Sequence, residues 1–337
     1  MILWLGLAGT AEIAARGYVA LTERDLSRMR RKYAWRRSKR LARVWPGQSP
    51  DYPYLPYIPK TEPPDVDMRG LRLTSAQEVK PADVFRIFCL GGSTTYLGYP
   101  AKLEDALRDD FARRGLRLEV VNAADISWTT CESFVNFTMR CLYYEPDAII
   151  VYHAVNDAWP AFGKSFRPAY VHWRKRLVGN EPLWWDRVPR FMDHAAAYVL
   201  LREWSEEQTN MRTWAQTMMH YIPDFANDPY HGVDTYRTNI RNLIAVAREH
   251  DIQVVLATQV YNKDVPEQRL VAAVKEINDI TRSLADEQHG VHLVDAAARI
   301  EGSDELMFDI CHFRDDQGGE DMLVQTIGES VPRLLDH

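Results

Sequence analysis

The chain has 337 residues, of which 46% are hydrophobic and 26% charged, and it carries a formal net charge of -6. That composition excludes a disordered or fibrous protein, and the length can bury a substantial core as one large domain or two small ones. Four scattered cysteines (Cys89, Cys131, Cys141, Cys311) without CxxC spacing, and ten histidines without HxH or HExxH spacing, argue against a disulfide framework and against a zinc site. Cys131 and Cys141 stand at a spacing that would let them pair, but free buried thiols are the expectation.

In chain order, residues 1–45 form an apolar and then basic segment. Met1 to Leu21 is mostly apolar but carries Glu12 and Arg16, charges that oppose a full membrane span. The positive start of a signal peptide is missing, so an amphipathic or partly inserted helix is expected. From Arg24 to Arg43 ten of twenty positions are Arg or Lys. Such a run suits an anionic membrane surface and equally a solvated charged helix. Nothing else in the chain resembles a nucleic-acid module, so no nucleic-acid partner is expected. Residues 46–80 read as a connector: Pro46, Pro50, Pro53, Pro56, Pro59, Pro63 and Pro64 lie within it, interleaved with Tyr52, Tyr54 and Tyr57. Proline at that density rules out a helix or a central strand.

Residues 81–337 alternate between two periods. Apolar runs at Val84–Leu90, Leu118–Val121, Ala148–Tyr152, Gln253–Ala257 and Val291–Val294 predict buried strands. Helical patterns lie at Ala101–Arg114, Cys131–Tyr143, Thr235–His250, Gln268–Glu287 and Gly319–Leu335. This alternation predicts an α/β domain with a central parallel sheet covered on both faces, and ligands at the carboxyl ends of the strands. Residues 158–233 interrupt the rhythm and predict a helical insertion. They hold six of the ten tryptophans, which either line a cleft for a sugar or acyl chain or pack the insertion onto the core.

Four blocks follow strands. After the first comes Gly91-Gly92-Ser93-Thr94-Thr95, a sharp turn presenting one hydroxyl, which needs a base to become a nucleophile. After the second comes Asn122-Ala123-Ala124-Asp125-Ile126-Ser127-Trp128, whose amides suit an oxyanion. After the third comes His153-Ala154-Val155-Asn156-Asp157, where Asn156 can donate to a developing oxyanion, an interaction worth roughly 3 kcal/mol in other enzymes. Near the C-terminus, Asp309 and His312 stand three apart, a spacing that lets the carboxylate orient the imidazole. Asp309 could equally cap a local turn. Thr129 and Glu132 read as helix caps, Cys311 as core filling and Asp157 as a tie between loops.

In these blocks the chain resembles the SGNH/GDSL hydrolase superfamily, over residues 84–157 and 234–337. The resemblance implies a flavodoxin-like three-layer α/β/α fold and a serine esterase that works through an acyl-enzyme without metal or cofactor. Ser93, Asp309 and His312 would be catalytic, and Ser93, Ser127 and Asn156 would form the oxyanion hole. Trp128, His153 and Trp159, beside those blocks, are candidate substrate contacts, although a packed histidine is the commoner reading for His153. Serine stands at 127 and alanine at 154 where the family has glycine; if position 127 requires positive φ, serine is strained there. The substrate is an acyl ester, with an acylated glycan or lipid as the expected class. An acyltransferase using the same triad and a catalytically silent glycan-binding module are the alternatives. The Pro-Tyr-Leu-Pro-Tyr lead-in is similar to membrane-tethered bacterial members. That points to membrane association and outward, whereas the basic run points to a cytoplasmic catalytic domain, so the side of the membrane stays open.

Overall fold

The computed structural model describes residues 2–22, 79–163, 166–170, 192, 194–202, 204, 223–314 and 316–336. The basic run and the proline-rich connector lie outside the described residues. The chain divides into two units, residues 1–57 with 174–222 and residues 58–173 with 223–337.

In the first unit, α1 spans Ile2–Leu21. Its two charges are paired with each other, Arg16 Nε donating to Glu12 Oε1 at 2.7 Å. The Glu12 carboxylate also accepts from the amides of Ala196 and Ala197, both at 3.0 Å, at the start of a helical stretch over residues 196–202. A carboxylate at a helix N-terminus satisfies donors that the helix itself leaves open. Ile13, Tyr18 and Leu21 are exposed. Among the described residues, no helix is long and apolar enough to cross a membrane.

The second unit is built on five parallel strands, β1 (Val84–Gly91), β2 (Arg117–Asn122), β3 (Ala148–Tyr152), β4 (Gln253–Ala257) and β5 (Val291–Val294), in the order β2-β1-β3-β4-β5. Their side chains alternate between two buried layers. Phe88, Leu90, Ile149, Val151, Val254 and Leu256 face one core, and Ile87, Cys89, Ile150, Tyr152, Val255 and Ala257 face the other. Burial on both faces is why these strands read as continuous apolar runs. Helices α3 (Thr130–Met139), α4 (Asp234–Glu249) and α5 (Gln268–Glu287) cover the first layer, and α2 (Tyr99–Arg113) and α6 (Gly319–Gly328) cover the second. The result is a three-layer α/β/α sandwich. Within it, wholly buried Arg86 of β1 is paired with Glu119 of β2 at 2.8 Å; removing one partner of such a pair strands a buried charge.

Two helices end earlier than their patterns predict. The pattern to Tyr143 breaks at Arg140, whose backbone turns to φ -135, and continues as a 3-10 turn over Cys141–Tyr144. The pattern to Leu335 stops at Gly328 and resumes as a 3-10 turn over Val331–Asp336. Pro332 lacks the amide needed to continue the helix, and its ring would meet the carbonyl of Gly328. All four cysteines are buried, and none is in a disulfide. At the described ends of the insertion, Trp159 and Phe162 pack edge-on against Phe225 at 5.7 and 5.2 Å, and Arg269 of α5 lies over the Phe162 ring. Trp173, Trp184, Trp185 and Trp214 lie outside the described residues.

The strand order places a switch of direction beside β1, which leads first to β2 on one side and then, by way of β2, to β3 on the other. A crevice opens at the carboxyl ends of strands at such a point. Ser93 follows β1 and Asn156 follows β3.

Candidate active site

The turn that carries Ser93 depends on its two glycines. A Cβ on Gly91 would stand 2.0 Å from Thr95 Oγ1, and one on Gly92 would stand 2.2 Å from Asn156 Nδ2. Glycine therefore lets the chain reverse against Thr95 and lets the Asn156 carboxamide press against the turn. Gly92 caps a single helical turn, Ser93–Tyr96, held by the Thr95 and Tyr96 amides donating to the Gly92 carbonyl. Asn122, the last residue of β2, fixes the same turn from below. Its Nδ2 donates to the carbonyls of Thr95 and Tyr96, at 3.1 Å each.

The long-range partners of Ser93 come from the loop after β5. Ser93 Oγ lies 2.7 Å from His312 Nε2, and His312 Nδ1 lies 2.7 Å from Asp309 Oδ2. The second carboxylate oxygen of Asp309 accepts from the amides of Cys311 and His312, at 2.9 and 2.8 Å. Asp309 thus caps its own turn and orients the imidazole at once. Burial pushes its carboxyl up, but the His312 contact and the two amides outweigh that and hold it below the usual range. An ionised Asp309 fixes the proton of His312 on Nδ1 and leaves Nε2 as an acceptor facing the serine. The ring of Phe308 stacks on the imidazole, with centroids 5.4 Å apart and planes 11° apart, and limits its rotation from the open side. Asp309, Cys311 and His312 also form the group of potential metal ligands found among the described residues. Burial pushes the Cys311 thiol well up, so it stays protonated, and the other two are committed to each other.

The electrostatic partners of an oxyanion come from the other two turns. Asn156 Nδ2 donates to the Trp128 carbonyl at 2.9 Å. This bond identifies the nitrogen rather than the oxygen as the amide end nearest the nucleophile turn and leaves its second hydrogen for a ligand. The amides of Ser93 and Ser127 make no hydrogen bond among the described residues. Ser127 adopts φ +61, the left-handed region that favours glycine. The serine is therefore strained where the resemblance places a glycine, while its amide keeps the direction that the turn requires. Ser127→Gly is expected to raise stability by roughly 0.5–1 kcal/mol, relief of the strain outweighing the entropy of an unfolded glycine. Thermal melting checks this; a lower melting temperature would mean that the serine hydroxyl contributes more than the strain costs.

Asp157 locks the two turns together. Its carboxylate accepts from the Thr130 amide at 3.1 and 3.2 Å and from the Thr130 hydroxyl. Thr129 and Glu132 form a reciprocal capping box at the start of α3, which fixes the exit of the Ser127 loop. The three candidate substrate contacts fare differently. Trp128 and His153 are 1% and 2% exposed, so neither side chain offers a surface to a ligand, and as direct contacts they are corrected. His153 accepts or donates one bond with Ser133 Oγ at 2.7 Å. Burial lowers its pKa to about 3, which keeps it neutral. Trp159 is half-buried against the aromatic cluster of Phe225.

A cavity of about 120 Å³ opens beside His312, lined by Thr94, Leu97, Phe308 and Phe313 and by Lys102 paired with Glu320 at 3.0 Å. Leu97 and Phe308 are exposed there. The sequence reading missed Asn122 and Phe308. A polar residue closing an apolar strand marks the first, and nothing local marks the second.

The arrangement unites a serine hydroxyl, an imidazole with a free acceptor nitrogen, an ionised carboxylate behind it and amide donors across a gap, the components of acyl transfer to and from serine. The sequence model of the GDSL-like lipase/acylhydrolase family matches residues 89–316. No curated protein matches the sequence. Similar solved structures include the acetylxylan esterase Axe2 from Geobacillus stearothermophilus (14% identity, 72% of this chain and 92% of that chain, TM-score 0.45). A lipase/acylhydrolase from Enterococcus faecalis is 18% identical over 74% of this chain and 96% of that chain, with a TM-score of 0.44. LAE5, described as an alpha/beta hydrolase enzyme from the metagenome of Lake Arreo, Spain, is 15% identical over 75% and 97%, with a TM-score of 0.46.

Proposed function

The chain belongs to the GDSL-like lipase/acylhydrolase family and is a carboxylic-ester hydrolase; from that premise we propose that it cleaves short acyl esters through a covalent intermediate on Ser93. The observation that carries this reading is the continuous relay Asp309–His312–Ser93, with both links at 2.7 Å. His312 Nε2 takes the proton of Ser93 Oγ as the oxygen bonds to the acyl carbon. The carbonyl electrons move onto its oxygen, which the amides of Ser93 and Ser127 and the Asn156 carboxamide stabilise. Collapse breaks the ester bond, and His312 returns the proton to the departing alcohol. Water, deprotonated by the same imidazole, then releases the acid and restores Ser93. Asp309 stays ionised throughout and balances the transient imidazolium.

The cavity beside His312 supports a small group at the reacting carbon: at about 120 Å³ it is far smaller than a pocket for a drug-sized ligand. Its mixed lining, Leu97 and Phe308 with the paired Lys102 and Glu320, fits a short acyl group better than a lipid tail. The reach of His312 to Ser93 favours catalysis over a silent glycan-binding module. Acyl transfer to a sugar hydroxyl uses the same first half-reaction. For the N-terminal unit, the exposed Ile13, Tyr18 and Leu21 of α1 support contact with a membrane interface.

A series of p-nitrophenyl esters tests the substrate reading. kcat/KM is expected to be highest for acetate or propionate and to fall by about tenfold or more toward long chains, since a cavity of this size excludes added methylenes. A rise with chain length would overturn it in favour of a lipid-like substrate.

A further inference from the structure

Gln259, two residues past the end of β4, is 4% exposed, and no part of the reaction described above uses it. Its carboxamide is shared between the two turns that must cooperate. Nε2 donates to Thr94 Oγ1 at 3.1 Å, next to Ser93, and Oε1 accepts from the Val155 amide at 2.7 Å, next to Asn156. The Val155 amide opens the single helical turn Val155–Ala158 and has no partner within it. Gln259 is itself held rigidly. Asn278 of α5, 1% exposed, accepts from the Gln259 amide at 2.8 Å and donates to its carbonyl at 2.9 Å. The next amide, of Val260, donates to the Tyr152 hydroxyl at the end of β3. A planar group with one donor end and one acceptor end therefore bridges the Ser93 turn to the Asn156 turn from an anchor that cannot swing.

We infer that Gln259 is a positioning residue for ester hydrolysis: it sets the separation between Ser93 Oγ and the Asn156 carboxamide at which an oxyanion on the attacked carbon meets its donor. The inference rests on the reading of Asn156 as that donor. Gly92 and the Trp128 carbonyl fix how closely and in which orientation Asn156 approaches. Gln259 fixes the turn on which it stands. Because an oxyanion donor acts on charge that develops only as the tetrahedral species forms, the loss falls on the transition state.

The test compares Gln259→Met, Asn156→Ala and the double variant of the full chain on p-nitrophenyl acetate, with thermal melting in parallel. Gln259→Met keeps the length and volume of the side chain but neither hydrogen bond. It is expected to lower kcat by about tenfold to a hundredfold, the loss typical of a displaced catalytic group, with KM changed by less than about twofold. In the Asn156→Ala background the added loss is expected to shrink below about threefold, because the donor that Gln259 positions is already gone. A loss that multiplies fully on top of Asn156→Ala, or one confined to KM, would mean a general structural role and overturn the inference. Thr94→Val severs only the nucleophile end of the bridge and serves if Gln259→Met fails to fold: a smaller fall in kcat with the same non-additivity supports the inference, and an unchanged kcat overturns it. An Asn156→Ala enzyme at the wild-type rate would sink the oxyanion reading itself, and the inference with it.

Discussion

His312→Ala is expected to lower kcat on an aryl acetate by about 10⁴-fold or more while leaving KM nearly unchanged. Without the imidazole, Ser93 has no acceptor for its proton, and a neutral hydroxyl attacks an ester too slowly to matter. Ser93→Ala should fall as far, and the two together no further, because the pair acts as one unit. Asp309→Asn should cost less than either. It keeps a partner for His312 but removes the negative charge, and with it the preference for the Nδ1 proton. Steady-state kinetics checks the series. A His312→Ala variant that keeps a tenth of the wild-type rate would show that the 2.7 Å contact with Ser93 is structural. Asp309 also links the site to acid stability. Its folded carboxyl lies below the usual value, so the stabilisation it gives is present above the unfolded pKa and is lost as pH falls through the folded one.

The second large effect is expected at the oxyanion donors. Asn156→Ala should cost about 10²- to 10³-fold in kcat, or roughly 3–4 kcal/mol, the range for losing one preorganised donor. Gly92→Ala should come close to the same loss without touching a polar group. Its Cβ would fall 2.2 Å from Asn156 Nδ2 and 3.3 Å from the Trp128 carbonyl, which forces the carboxamide out of the gap. Both variants should keep the Ser93–His312 pair and hence still react with an electrophilic phosphonate, more slowly than the wild type. If Gly92→Ala retained full turnover, Asn156 would have room to move and would not be a preorganised donor.

The sheet was legible in the sequence because its strands are buried on both faces, so that Phe88 and Cys89 are both apolar although they point into different cores. Helix ends were less legible. Arg140 and Pro332 stop their helices through backbone geometry, which the apolar period does not register. The blocks around Ser93, Ser127, Asn156 and His312 could be found because each follows a strand, and the fold brings the carboxyl ends of strands together. Sequence alone leaves the backbone angle at Ser127 open, and the φ of +61 makes serine the strained choice there. Trp128 misled as a substrate contact because adjacency in sequence does not say which way a side chain turns; it turns into the core, while His153 is the packed histidine that the commoner reading expects. Gln259 was invisible for a related reason. A buried amide matters through partners far away in sequence, such as Thr94 and Val155, and no local pattern announces them.

The most direct measurement is fluorophosphonate labelling of the full chain, with the modified peptide mapped by mass spectrometry and Ser93→Ala as the control. An activated serine is expected to give one label, on the peptide that contains Ser93, and none in the variant, with His312→Ala labelled far more slowly. A folded wild-type protein that takes no label, or takes it at another residue while Ser93 stays unmodified, would contradict the account.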